Sequence, residues 1–240
     1  MVRQSDATKQ PAAERPMRAR PRHPILRALD NLSPYWGPQL VVGVAILLDL
    51  ILSKRLTLGP RWLLPSIEIA LLFVLAAVSP HPTVRHHPYR RRVALGLIGL
   101  VSVVNIFSLV LLCKHLIEGG HTQGRSLIGS GAVLWVTNVL LFGLWYWELD
   151  RGGPADREGH ASRFPDFLFP QMTDERWAPD NWRPGLVDYL YVSLTNATAF
   201  SPTDTMPLTA IAKWLMGAQA MTALLTVGLV VARAVNILQV

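Results

Sequence analysis

The sequence predicts an all-α, polytopic membrane protein with five transmembrane helices and a further helix, between the fourth and fifth, that enters the membrane without crossing it. Three observations lead there. Half of the 240 residues are hydrophobic and only 16% are charged, against roughly 25% charged in soluble domains. The apolar residues are gathered into blocks close to the roughly 20 residues that cross a bilayer as helix. Before the last block stands "YLYVSLTNATAFSPTDTMPLT", Tyr189 to Thr209, which opens as apolar helix, becomes a run of small hydroxyl residues and meets two prolines.

Residues 1–34 are basic and rich in proline and arginine ("ERPMRARPRHP") with no apolar run, so they predict a disordered tail and not a cleavable signal. Arginines beside a first span orient a chain and meet anionic lipid head groups. That use accounts for a net charge of +7 without a nucleic-acid partner. Residues 35–118 hold three spans, Tyr35 to Ser53, Trp62 to Val78 and Val93 to Ile117; a fourth runs from Leu127 to Trp147 and a fifth from Leu208 to Leu238. With five spans the tail, the connection Arg85 to Arg92 and the loop Asp150 to Pro184 share one side, and Lys54, Arg55, Arg61, Lys114, Arg125 and Arg233 lie on the other. The positive-inside rule puts the first group, and the N-terminus, in the cytoplasm.

The residues carry no pattern of an enzyme. His23, His81, His86, His87, His115, His121 and His160 all avoid the middle of a span, where axial ligands to haem would be needed. "HPTVRHHPYRRR" has neither acid nor cysteine beside its histidines and reads as a basic connection rather than a metal site. "GSG" at Gly129 to Gly131 lacks the Gly-Lys-Ser/Thr of a phosphate loop and suits tight helix contact. The single cysteine, Cys113, reads as a packing residue. No catalytic residue, cofactor or metal is therefore expected. The sequon Asn196-Ala197-Thr198 falls within the membrane layer, out of reach of glycosylation. Charged side chains inside a bilayer are costly and mark functional candidates, which singles out Asp49 and, for a pore or proton-handling role, Glu68. Asn105, Thr137 and Asn138 suit hydrogen bonds between helices.

The loop Asp150 to Pro184 carries Phe164, Phe167, Phe169, Trp177 and Trp182, aromatics of the kind found at a membrane interface. After it, Gly185 to Phe200 is apolar but spans only about 24 Å as helix, short of a hydrocarbon core of about 30 Å. Such a helix enters and stops. Irregular backbone at membrane depth survives only against protein or a water-lined cavity, and Pro202 and Pro207 prevent regular helix from continuing.

This order of outer helix, half-entering helix, irregular segment and long inner helix resembles the pore module of the potassium-channel superfamily. The family filter reads Thr-x-Val-Gly-Tyr-Gly-Asp and then, after two residues, Pro-x-Thr. Laid on this chain without gaps, Thr198 stands at the filter threonine, Phe200 at the valine, Asp204 at the aspartate, Pro207 at the proline and Thr209 at the last threonine. Ser201 and Thr203 replace both glycines and Pro202 replaces the tyrosine. Aiming successive carbonyls at a dehydrated ion needs backbone angles that glycine visits freely and these residues resist. The segment is also similar to that of uncharacterised bacterial membrane proteins of the DUF1345 type, where a half-helix rich in Tyr-x-Ser/Phe and a Ser-Asp-Thr-like turn precede the last span.

The resemblance implies a channel-like module over residues 125–240: outer helix 127–147, polar loop 150–184, half-helix 186–199, filter-like segment 198–207 and inner helix 208–238. It implies a homo-oligomer, favouring a tetramer, in a bacterial inner (plasma) membrane. Thr195, Thr198, Ser201, Pro202 and Thr203 would then border a path for monovalent cations with Asp204 at its mouth. A non-conducting scaffold, assembly partner or small-molecule carrier that keeps the module is the alternative, since fold does not fix function. Asp204 has an alternative too, as the cap of a helix beginning near Pro207.

Overall fold

The computed structural model describes residues 36–51, 88–117, 124–158, 164–174, 178, 182–198 and 204–238. The N-terminal tail, the second predicted span with Glu68, Trp177, and Ser201, Pro202 and Thr203 lie outside them. The described chain is mostly helical: α1 (Trp36–Ile51), α2 (Pro88–Ile117), α3 (Gly124–Leu149), a short α4 (Pro154–Glu158), α5 (Leu186–Thr198) and α6 (Ala210–Leu238). Two short strands, β1 (Phe167–Leu168) and β2 (Met206–Pro207), pair antiparallel. Three segments are long and apolar enough to cross a membrane, Arg91–Lys114, Ile128–Gly152 and Ala210–Ala232, which makes this an integral membrane protein in outline. α1 contributes a shorter apolar stretch, Gly37–Leu48.

α3 is the hub, packed by α1, α2, α5 and α6. Its glycines permit the approach. A Cβ on Gly143 would stand 3.2 Å from the Leu190 Cα, so only glycine lets the α5 backbone come this close. Gly131 of the "GSG" stretch likewise lies against Leu112 and Val230, whereas Gly129 meets nothing within 4 Å, so the tight contact expected of this stretch falls on Gly131.

The direction of each helix follows from its contacts on α3. α2 runs antiparallel to it, with Trp145 Nε1 donating to Ser102 Oγ at 3.0 Å near one end and Gly131 facing Leu112 near the other. α5 is also antiparallel to α3: Tyr189 packs edge-on against Trp147, Leu190 covers Gly143, and Ser193 Oγ donates to Val139 O. α6 repeats this direction, since Ala212 packs in the cluster of Tyr146 and Phe167 while Ala223 meets Val139 and Ala197. α1 begins beside the start of α5, where Gly37 faces Leu186, and sends Val42, Ala45 and Ile46 into a core with Leu97, Val101, Leu141 and Leu144.

The starts of α1, α2, α5 and α6 and the end of α3 therefore lie at one face, with the loop that follows Asp150. Consecutive helices α5 and α6 run parallel, and Met206 to Leu208, paired with the loop residues Asp166 to Leu168, lie at the face from which α5 set out. With 13 residues α5 is about 20 Å long.

Helix ends differ from the sequence estimate for local reasons. α3 reaches Leu149 and is stopped by positive φ at Arg151 (53°), Gly152 (85°) and Gly153 (101°). α6 begins at Ala210 and not at Leu208, because the Leu208 N–H is taken by Asp166 O at 2.8 Å and the Thr209 hydroxyl accepts from Ala212 N at 3.3 Å. Phe167 and Phe169, expected at the membrane interface, are buried instead. They stack with Tyr146 and Tyr189 and join the loop to the helices, while Phe164 stays exposed and Trp182 packs on Phe169 at 5.9 Å.

Candidate functional site

The module formed by α3, α5 and α6 is held at two levels by polar side chains. The first level is at the loop face, and Asp150 is its centre. Its side chain is fully buried; one oxygen accepts from the Asp166 backbone N–H at 2.8 Å and the other from the Tyr189 hydroxyl. Asp166 in turn accepts from Arg151 N at 3.0 Å and from Thr209 Oγ1 at 2.7 Å. One relay thus ties the end of α3, the first turn of α5 and the cap of α6. The left-handed φ of Arg151, unusual for a residue with a side chain, is sustained by that N–H bond and by Nη2 on the Met172 sulfur at 3.3 Å.

Arg157 closes this level from the loop side. It lies over the Trp147 ring, 4.2 Å from its centroid, and Nη1 donates to Trp147 O at 2.6 Å and Asp150 O at 3.0 Å. Both carbonyls lie at the end of α3, where helix carbonyls run out of partners within the helix; Asp150 O also accepts from Gly153 N at 3.0 Å. Burial lowers the pKa of the Arg157 guanidinium, and Tyr189, Asp150 and Glu148 nearby oppose the shift. α5 starts with a cap of its own, the Gly185 N–H donating to Asp188 Oδ2 at 2.7 Å.

The second level lies deeper, about one turn along α3 and α5 from the first at Tyr146 and Ser193. Gln219 on α6 is fully buried; its Oε1 accepts from Tyr146 of α3 at 2.5 Å and from Asn196 Nδ2 of α5 at 2.9 Å. Its Nε2 donates to Ser193 O at 2.9 Å and Ser193 Oγ at 2.6 Å, and that hydroxyl in turn donates to Val139 O at 2.6 Å. Asn196 Nδ2 also reaches Met216 O at 2.9 Å. This network bridges all three helices.

The residues singled out in the sequence are distributed unevenly around this module. Thr195 and Thr198 sit on the last turns of α5, and both hydroxyls bond backbone carbonyls of their own helix, Tyr191 and Val192 for the first and Thr195 for the second. Asp204 is exposed, just ahead of β2. It is not the helix cap, a role that Thr209 fills. Ser201, Pro202, Thr203 and Glu68 are outside the described residues; Asp49 lies on α1 with its side chain outside them. Asn105 and Asn138 are buried on α2 and α3, apart from the α5–α6 pair. Among the described residues no His, Cys, Asp or Glu cluster has metal-binding form. Sequence reading passed over Asp150, Asp166, Arg157, Tyr189, Tyr146 and Gln219. The signal available was polarity inside apolar blocks, Gln219 above all.

No protein-family model, curated protein or solved structure matches this chain.

Proposed function

We propose that the chain is the protomer of a homo-oligomeric, channel-like protein of the bacterial inner (plasma) membrane, a tetramer that passes monovalent cations with little choice between potassium and sodium. The parallel run of α5 and α6 from one face carries this reading. It leaves the C-terminal end of α5 within the bundle, near Val139 and Ala223. A helix C-terminus bears the equivalent of about half a negative charge, which favours a cation there. The Gln219 network ties α3, α5 and α6 together within the protomer, and this reading puts the path on an axis between copies. α6 has surface for one: 17% of its apolar window is buried, against 39% and 50% for α2 and α3.

Light scattering on the protein in nanodiscs should give a multiple of the 26.6 kDa protomer. A monomer at every concentration removes the axial path. In liposomes, potassium and sodium fluxes should be comparable, because Ser201 and Thr203 stand where a strict carbonyl cage needs glycine. A strong potassium preference would contradict that. An intact oligomer without flux would leave the scaffold or carrier reading in its place.

Asp204→Asn separates mouth from structure. Asp204 is exposed and makes no cap, so its loss should change stability by no more than about 0.5 kcal/mol. Cation flux at low ionic strength should fall, and the difference should shrink as salt screens the charge. Equal flux of the two proteins at all salt concentrations would take Asp204 out of the path.

A further inference from the structure

The interhelical hydrogen bonds expected of Asn105, Thr137 and Asn138 are not made among the described residues. Asn105, Thr137 and Asn138 are 4%, 0% and 1% exposed. Asn105 Oδ1, Thr137 Oγ1 and both Asn138 side-chain atoms have no hydrogen-bond partner among the described residues. Leu112 and Gly131 face each other across the two antiparallel helices. Asn105 is seven residues before Leu112 and Asn138 seven after Gly131. Seven residues are about two helical turns, which bring a side chain back to nearly the same face. The two asparagines therefore share a level and an interface, with Thr137 adjoining. Apolar packing closes the layer on both sides, Leu109, Leu112 and Leu134 on one and Val101 and Leu141 on the other.

Inside a bilayer such groups have no lipid partner to turn to, and unpaired they destabilise the fold. Their chemistry specifies what would pair them. The set offers an amide donor, a hydroxyl and two amide oxygens, without formal charge. An anion would meet acceptors, and a bare cation would meet the Asn138 amide donor with no negative group to balance it. Water donates and accepts, and a buried water makes about three such bonds. We infer that the α2–α3 interface of each protomer is a water-binding site in which Asn105, Thr137 and Asn138 are bridged at mid-depth. It is separate from the α5–α6 pair and does not depend on conduction.

Two measurements on the full chain in micelles test it. In hydroxyl-radical footprinting with X-ray pulses, radicals form from bound water, so Leu109, Leu134 or Leu141 of the wild type should be labelled despite burial. The second is a double-mutant cycle. Asn105→Leu or Asn138→Leu alone should raise the unfolding equilibrium constant because the other asparagine loses its bridge, and the double substitution should bring it back down, with coupling of about tenfold or more. Labelling should vanish in the double variant. Absence of labelling in the wild type overturns the inference even if coupling is found, since the asparagines would then be bonding each other directly. Additive effects of the two substitutions overturn it as well.

Discussion

Asp150→Ala should lower the unfolding free energy by about 3–5 kcal/mol, the range for removing one partner of a buried charged pair. The carboxyl group serves Tyr189 and Asp166 at once and lies 3.9 Å from Arg151 Nε. Without it the Tyr189 hydroxyl and the Asp166 N–H lose their acceptors in a buried site, and Arg157 and Arg151 lose a neighbouring negative group. Tyr189→Phe should cost less, about 0.5–1.5 kcal/mol, because Asp150 keeps its bond from Asp166. In the double variant Asp150→Ala with Tyr189→Phe the hydroxyl is no longer stranded, so the loss should be smaller than the sum of the two. Denaturant titration in micelles measures all three. A loss under about 1 kcal/mol for Asp150→Ala would mean that the relay does not hold the loop face together.

Gln219→Leu should cost about 1–3 kcal/mol, chiefly by stranding the Tyr146 hydroxyl, which donates to no other group among the described residues. Asn196 retains Met216 O and the Ser193 hydroxyl retains Val139 O, which limits the damage to that donor and the packing around it. Adding Tyr146→Phe removes the stranded group. The double variant Gln219→Leu with Tyr146→Phe should therefore recover part of the loss, since replacing both partners by apolar groups is nearly neutral. No recovery would show that Gln219 acts through shape alone. If the protein conducts, Gln219→Leu should also change the ratio of cation fluxes, because Gln219 fixes the depth of the α5 carbonyl end; an unchanged ratio would separate the network from the path.

The anchors were hard to read from sequence for a definite reason. Asp150 and Tyr189 are 39 positions apart, Tyr146 and Gln219 73. A polar residue in an apolar block announces that a partner is needed and does not say which. Asp204 shows the reverse error: a Thr-Asp-Thr turn before a helix invites a cap, but the actual helix start is set by Leu208 and Thr209 on Asp166, whose position depends on the fold of the preceding loop. The loop aromatics misled in the same way, because composition alone does not distinguish a ring lying at an interface from one packed on Tyr189.

What the sequence determined by itself is the helical membrane class and helices at 35–53, 93–117, 127–147 and 208–238, close to those observed at 36–51, 88–117, 124–149 and 210–238, with a shorter helix before the last. These follow from local composition and from length measured against a bilayer, quantities that need no knowledge of neighbours. The tertiary structure decided that α5 and α6 run parallel from one face, that Asp150 and Gln219 are the two points holding them to α3, and that Asn105 and Asn138 meet at one level without bonding. Direction, register and hydrogen-bond partner are properties of pairs of segments, and in hydrocarbon the apolar faces of helices are nearly interchangeable. Close glycine contacts and buried polar groups discriminate between the possible pairings, and they do so only once the helices are together.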